Sequence, residues 1–161
     1  VGAKLLYPNQ TIQHSGVVVG VGGIAMHAFV STGRMQYGYF GRLVSVYDWS
    51  CVTAACLMVK KSKYLSVGGL EEDLKVAYND VDFNLKLLDS GYYNVVLPNV
   101  ELFHYESLSR GNDMSEDQIK RFKKETDYMC DKWGKKLLSD KFYNDNMSYD
   151  YAFRLDRKSG E

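Results

Sequence analysis

The chain has few prolines, only Pro8 and Pro98 among its 161 residues, and few cysteines, Cys51, Cys56 and Cys130. The cysteines are odd in number and none are spaced as Cys-x-x-Cys, so neither a disulfide framework nor a zinc knuckle is expected, and a reducing compartment fits better. Excess charge is also missing: 20 basic residues balance 20 acidic ones. Bulk electrostatics therefore do not point to nucleic acid or to an anionic membrane. No run approaches the roughly 18 apolar residues of a membrane helix, and no signal-peptide pattern opens the chain. What is plentiful is aromatic surface, with 13 Tyr, 7 Phe and 2 Trp. It suits a packed core and sugar-stacking faces equally. The length fits one domain or part of one.

Residues 1–30 read as β structure. Two extended runs flank Pro8-Asn9-Gln10, the pattern of a hairpin with turn formers at its tip. Gly20-Val21-Gly22 begins a G-x-G, but no third glycine follows where it could open a helix, so a dinucleotide fingerprint is discounted. Residues 31–50 read as a long loop, of the kind that often carries function. Residues 51–62, "CVTAACLMVKKS", read as a buried strand.

A helix is predicted from Asn79, taken as its N-cap. Asp80 and Asp82 fall in its first turn, and Val81, Leu85 and Leu88 lie on its apolar stripe. Asp82 reads as a structural residue that reaches back to the Asn79 amide. Gly91 closes the helix. "YYNVVLP" and "VELFHYES" are predicted as two short extended segments on either side of Pro98-Asn99. Ser115 to Gln118 has capping-box spacing. Ile119, Phe122, Met129, Trp133 and Leu137 give an amphipathic helix of about six turns. The C-terminal tail is expected to wrap the body. His14 and His27 show no partner pattern and read as structural.

The ordered set "TAACLMVKKSKYLSVGGLEEDLKVAYNDVDFNLKLLDSGYYNVVLPNVELFHYESLSRG" resembles the second half of family 2 glycosyltransferases with the GT-A fold. A small-residue strand, "VGGL-E-E", the acidic "N-D-V-D-F" helix start, "G-Y-Y-N-V-V-L-P" and "H-Y-E-S" follow in the family's order. "KLLYPNQTIQHSG", "GYFGRL" and "FYNDNMS" are similar to bacterial members that elongate surface polysaccharides. The fold class implied is α/β, a partial GT-A mixed sheet with flanking helices. Residues 1–161 would be the C-terminal, acceptor-side half, with the N-terminal nucleotide-binding half absent and the chain inactive by itself.

The resemblance implies transfer, with inversion, from a nucleotide-diphosphate sugar donor to a hydroxyl of a glycan acceptor, and a Mn or Mg ion on the leaving diphosphate. It places the base at Asp80. On residue pattern alone, Asp80 reads as a carboxylate that stabilises a helix start. His104 is the candidate metal ligand, oriented by Glu106. Asn79, Thr53 and Ala54, with Ala55, are candidate substrate-binding residues. Ser107 and Arg110 would fold over the diphosphate, and the 37–42 loop offers a stacking platform for the acceptor. The Asp80-Val81-Asp82 spacing sits at the family's later acidic motif and is not read as the metal motif. The implied location is cytoplasmic or at the inner membrane face, and a surface left open by the missing half would favour homo-oligomers. A non-catalytic carbohydrate-binding or interaction domain is the alternative. A metal-dependent hydrolase built on Asp80, Asp82 and His104 is disfavoured, because the two aspartates diverge around the helix.

Overall fold

The computed structural model describes residues 1–105 and 115–154. The chain begins with strand β1 (Gly2–Leu6), buried along its whole length. It returns antiparallel as β2 (Ile12–His14), with Leu5 opposite His14 and Leu6 opposite Ile12. The Pro8-Asn9-Gln10 turn therefore joins a hairpin, as its residues predicted. A second hairpin follows, β3 (Val17–Val19) with β4 (Ala25–His27), in a sheet of its own. Gly16 leads into it at φ 111°, and a Cβ there would run into the Trp49 ring. Only glycine lets this strand pass so close to the indole.

Strand β5 (Tyr47–Trp49) lies inside the stretch expected to be loop. Strand β6 (Asn94–Phe103) is a single strand where two segments were expected. It runs parallel to β1 and antiparallel to β5, giving a four-stranded mixed sheet in the order β2-β1-β6-β5. The β1 register steps from Leu97 at Ala3 to Glu101 at Lys4, passing over residues 98–100. Proline has no N–H to give a ladder, and this irregularity is where a strand can hold one.

Residues 51–62 are not a strand. Cys51 makes one bridge to Val17 and Leu57 one to Gly2. Between them lies a 3-10 turn, Ala54–Cys56, capped by Thr53, and helix α1 (Lys61–Ser66) follows. The reason lies in distant partners: the amides of Thr53 and Ala54 are taken by side chains, His14 and Asp80, and cannot serve a ladder.

Helix α2 (Asn79–Asp89) is capped by Tyr78 in a left-handed conformation, so Asn79 is its first residue and not its N-cap. The helix ends as expected. Gly91 has φ 79°, its N–H reaches Leu88 O, and Tyr92 N–H reaches Leu87 O, the Schellman arrangement.

Helix α3 (Glu116–Trp133) starts at Ser115, whose hydroxyl accepts from Gln118 N–H. It is 18 residues long, and Leu137 belongs to a following 3-10 turn. Met129, Trp133 and Leu137 are buried together with Val81 and Leu85 of α2, but Ile119 and Phe122 are half exposed. Only the C-terminal half of α3 meets the core. The tail does wrap the body: Tyr143 and Met147 are buried in a second cluster around Trp49, and Phe153 stacks on Phe29. Among the described residues, no helix is long and apolar enough to cross a membrane.

Candidate active site

A cavity of about 540 Å³ opens where the two parallel strands end. Leu5 and Tyr7 reach it from the end of β1, and His104 from just past β6, where its N–H donates to Leu6 O. The carboxyl ends of parallel strands are the usual place for a ligand in an open α/β sheet. Gln13, His27, Thr53, Ala55 and Val76 complete the polar and near walls.

Three of the residues singled out in the sequence, Thr53, Ala55 and His104, thus line one cavity. A fourth, Asp80, stands one link away. Its Oδ2 accepts from Ala54 N–H at 3.0 Å and its Oδ1 from Val81 N–H at 2.9 Å. The carboxylate therefore ties the Thr53–Cys56 turn to the start of α2 while staying partly exposed. Ala54 uses its amide and not its small side chain as the contact. Asn79 is half buried beside Asp80 in the first turn. Ser107, Arg110 and Glu106 lie outside the described residues. None of residues 37–42 is among the described lining of the cavity. Arg42 is instead held against the Tyr47, Trp49 and Phe153 rings and donates to Phe142 O.

Asp82 does not reach back to Asn79. It is fully buried, accepts from Trp133 Nε1–H at 2.9 Å, and is ion-paired to Lys132 and Lys86. Burial alone would lower the Lys132 pKa, yet bonds to Asp82, Glu71 and Tyr128 hold it well above the ordinary lysine value. The second acidic residue thus joins α2 to α3 and has no place at the cavity.

Several residues that shape the site carried no sequence signal. Glu125 of α3 is buried and accepts from three successive amides, Lys75 at 3.1 Å, Val76 at 3.2 Å and Ala77 at 2.7 Å. It fixes the segment that lines the cavity at Val76 and delivers the chain to Asp80. Asn84, also buried, donates to Val52 O and Asp80 O, holding α2 against the segment that leads into the Thr53–Cys56 turn. His14 and His27, read as unrelated, meet with their Nδ1 atoms 3.3 Å apart. Gln13 Oε1 lies 2.8 Å from His104 Nδ1. Reading "GVVVGVGGIAMH" as a hairpin would have placed both histidines at its open end.

The described residues around His104 bring it no carboxylate, and among the described residues no group of three or more His, Cys, Asp or Glu could hold a metal ion. Mg and Mn prefer several anionic oxygen ligands. These residues by themselves do not fit such an ion.

No family model and no solved structure matches the chain. Among known proteins, it is 45% identical over 149 residues, 92% of this chain, to the uncharacterized protein y4gI of Sinorhizobium fredii. It is 38% identical over 117 residues, 70% of this chain, to the O-antigen biosynthesis protein RfbC of Myxococcus xanthus. It is 32% identical over 62 residues, 38% of this chain, to the N-acetylglucosaminyl-diphospho-decaprenol L-rhamnosyltransferase of Mycobacterium tuberculosis. The matched segments span 16%, 9% and 20% of those relatives, respectively. The chain is thus homologous to segments of proteins of polysaccharide synthesis, one of which is a glycosyltransferase by name.

Proposed function

We propose that the chain is the acceptor-side part of an inverting glycosyltransferase that moves a sugar from a nucleotide-diphosphate donor to a glycan hydroxyl in polysaccharide synthesis. The observation that carries this reading is a cavity lined by Thr53 and His104, with Asp80 beside it and tied to its wall through Ala54 N–H, in a chain homologous to glycosyltransferase segments. Asp80 takes the proton from the acceptor hydroxyl. The acceptor oxygen attacks the anomeric carbon, the bond to the diphosphate breaks, and the diphosphate leaves with the electron pair. Each Asp80 oxygen already accepts one backbone N–H, which fixes its direction and leaves a lone pair free on each. Thr53 and Asn79 flank the acceptor. Countercharge for the diphosphate falls to Arg110 and the nucleotide-binding part of the parent protein, where a divalent ion would also be held, and Ser107 adds a hydroxyl donor.

A carbohydrate-binding domain without chemistry is favoured by one observation: the described lining of the cavity has no Lys, Arg, Asp or Glu. Asp80→Asn in the gene product that contains this chain separates the two. As general base catalysis lost, turnover should fall by about 10²–10⁴-fold with donor affinity retained. Unchanged turnover in Asp80→Asn would remove Asp80 from the mechanism, and no transfer by the unaltered protein with any nucleotide-sugar would leave the binding reading.

A further inference from the structure

Two of the chain's three histidines, His27 and His104, line this cavity, and the third, His14, lies against His27. His14 is fully buried, and burial, with His27 beside it, pushes its pKa well below the ordinary histidine value, so the ring is neutral. Thr53 N–H donates to its Nε2 at 3.4 Å, which places the single ring proton on Nδ1. That Nδ1 faces His27 Nδ1 at 3.3 Å, with the rings edge to face at 73°. His27 Nδ1 therefore accepts, and in its neutral form His27 carries its proton on Nε2. The opposite arrangement would set a His14 Nε2–H against the Thr53 N–H, two donors face to face inside the protein. Gln13 O also lies 3.2 Å from His27 Nδ1; a carbonyl only accepts, so in this tautomer the two atoms share no hydrogen bond, a smaller cost than two N–H groups set against each other.

We propose that His27 contacts the ligand, donating its Nε2–H to a hydroxyl oxygen of a neutral sugar in the cavity, and that His14 is the positioning residue that fixes the His27 tautomer. His27 lines the cavity while its Nδ1 is turned to His14 and Gln13, so Nε2 is the polar atom the ring has left to offer. The described lining has no charged Lys, Arg, Asp or Glu side chain. It combines hydrogen-bonding groups (Tyr7, Gln13, Thr53, His104) with apolar ones such as Met26 and Val76. That combination suits a polyol with an apolar ring face, whereas a diphosphate needs cations. The identity of the ligand rests on the reading of this cavity as a glycan site; the tautomer does not.

Long-range ¹H–¹⁵N NMR of the histidine rings tests both parts on the chain itself. His14 should appear as the Nδ1–H tautomer and His27 as the Nε2–H tautomer. A panel of glucose, galactose, mannose, N-acetylglucosamine and rhamnose should move the His27 Nε2 resonance, and inorganic diphosphate should not. His14→Asn, which keeps a donor at the Nδ1 position, should preserve the His27 tautomer, and His14→Phe should lose it. His27→Gln should keep sugar binding, and His27→Phe should weaken it by about tenfold, the scale of one lost hydrogen bond. An Nδ1–H tautomer at His27, a response to diphosphate alone, or no response to any sugar overturns the proposal. No sugar response in a protein that transfers sugar overturns this inference alone; a sugar response in a protein that transfers none overturns the catalytic reading alone.

Discussion

Trp133 of α3 donates its indole N–H to Asp82 Oδ1 of α2 at 2.9 Å, inside the core cluster that both helices share. Asp82 is fully buried, and Lys132 stands 2.8 Å from the same carboxylate oxygen. A buried carboxylate held by an indole and two lysines fixes one register between the helices. Asp82→Ala leaves the Trp133 indole N–H without an acceptor and takes one partner from each lysine, and it is expected to cost about 3 kcal/mol in chemical denaturation. Trp133→Phe keeps most of the packing and should cost less, about 1–2 kcal/mol. Equal stability of wild type and Asp82→Ala would show that the link carries no weight.

Glu125 is expected to matter for the site at a distance. Glu125→Ala takes the acceptor from three successive amides at once, and about 1–3 kcal/mol of stability should be lost. Amide exchange at residues 75–77 should accelerate more than exchange in β1 or β6. Uniform acceleration would mean global destabilisation only.

His14 gives the fold an acid limit. Folded His14 stays neutral, because burial lowers its pKa well below the ordinary 6.5. Below that value the unfolded chain takes up a proton that the folded chain refuses. Stability from this group is therefore full above pH 6.5 and falls as the pH drops through and below it. The loss should approach about 1.4 kcal/mol per pH unit near pH 5, and His14→Gln should remove that part of the slope. Parallel stability curves for the two proteins would contradict a neutral buried ring.

Glu71 works over a lower range. Bonds from Tyr128 and then Lys132 hold its carboxyl down at about 2. Its contribution is present above the ordinary 4.5 and fades as pH falls toward 2. Tyr128→Phe should bring the Glu71 pKa back up in a carboxyl NMR titration.

Asp80→Asn should leave the fold nearly untouched, within about 1 kcal/mol, since an amide oxygen can still accept from Ala54 N–H. Asp80→Ala should free the Thr53–Cys56 turn as well. If both lose activity equally while Asp80→Asn melts like wild type, the loss belongs to chemistry and not to the turn.

Where backbone chemistry is local, the sequence was a reliable guide. The Pro8 turn, the Gly91 stop and the Ser115 cap are each decided within a few residues, and each is found. The readings that failed depend on distant partners. Residues 51–62 have strand composition, but Asp80 and His14 claim the amides of the turn. Tyr78 displaces Asn79 as cap where Glu125, 48 to 50 residues on, fixes the preceding loop. Ile119 and Phe122 keep helical spacing with the core residues of α3, yet the core ends before it reaches them. Of the site, Thr53, Asp80 and His104 could be singled out by resemblance. The pairing of His14 with His27 could not, since it follows from the hairpin's closure and from no spacing rule.

The parallel pairing of β1 with β6 also sets a schedule for folding. The first strand of the chain finds its sheet neighbour more than ninety positions later, between Gly2 and Val96. Until that segment has been synthesised, β1 has its hairpin partner β2 and a single bridge from Gly2 to Leu57, and a two-stranded hairpin is marginal in water. Loop closure across such a span is slow compared with local helix formation. The cavity, which needs the ends of both parallel strands, is then among the last features to form. A chain ending before Asn94 should show neither cooperative unfolding nor a ligand site, however intact its N-terminal residues.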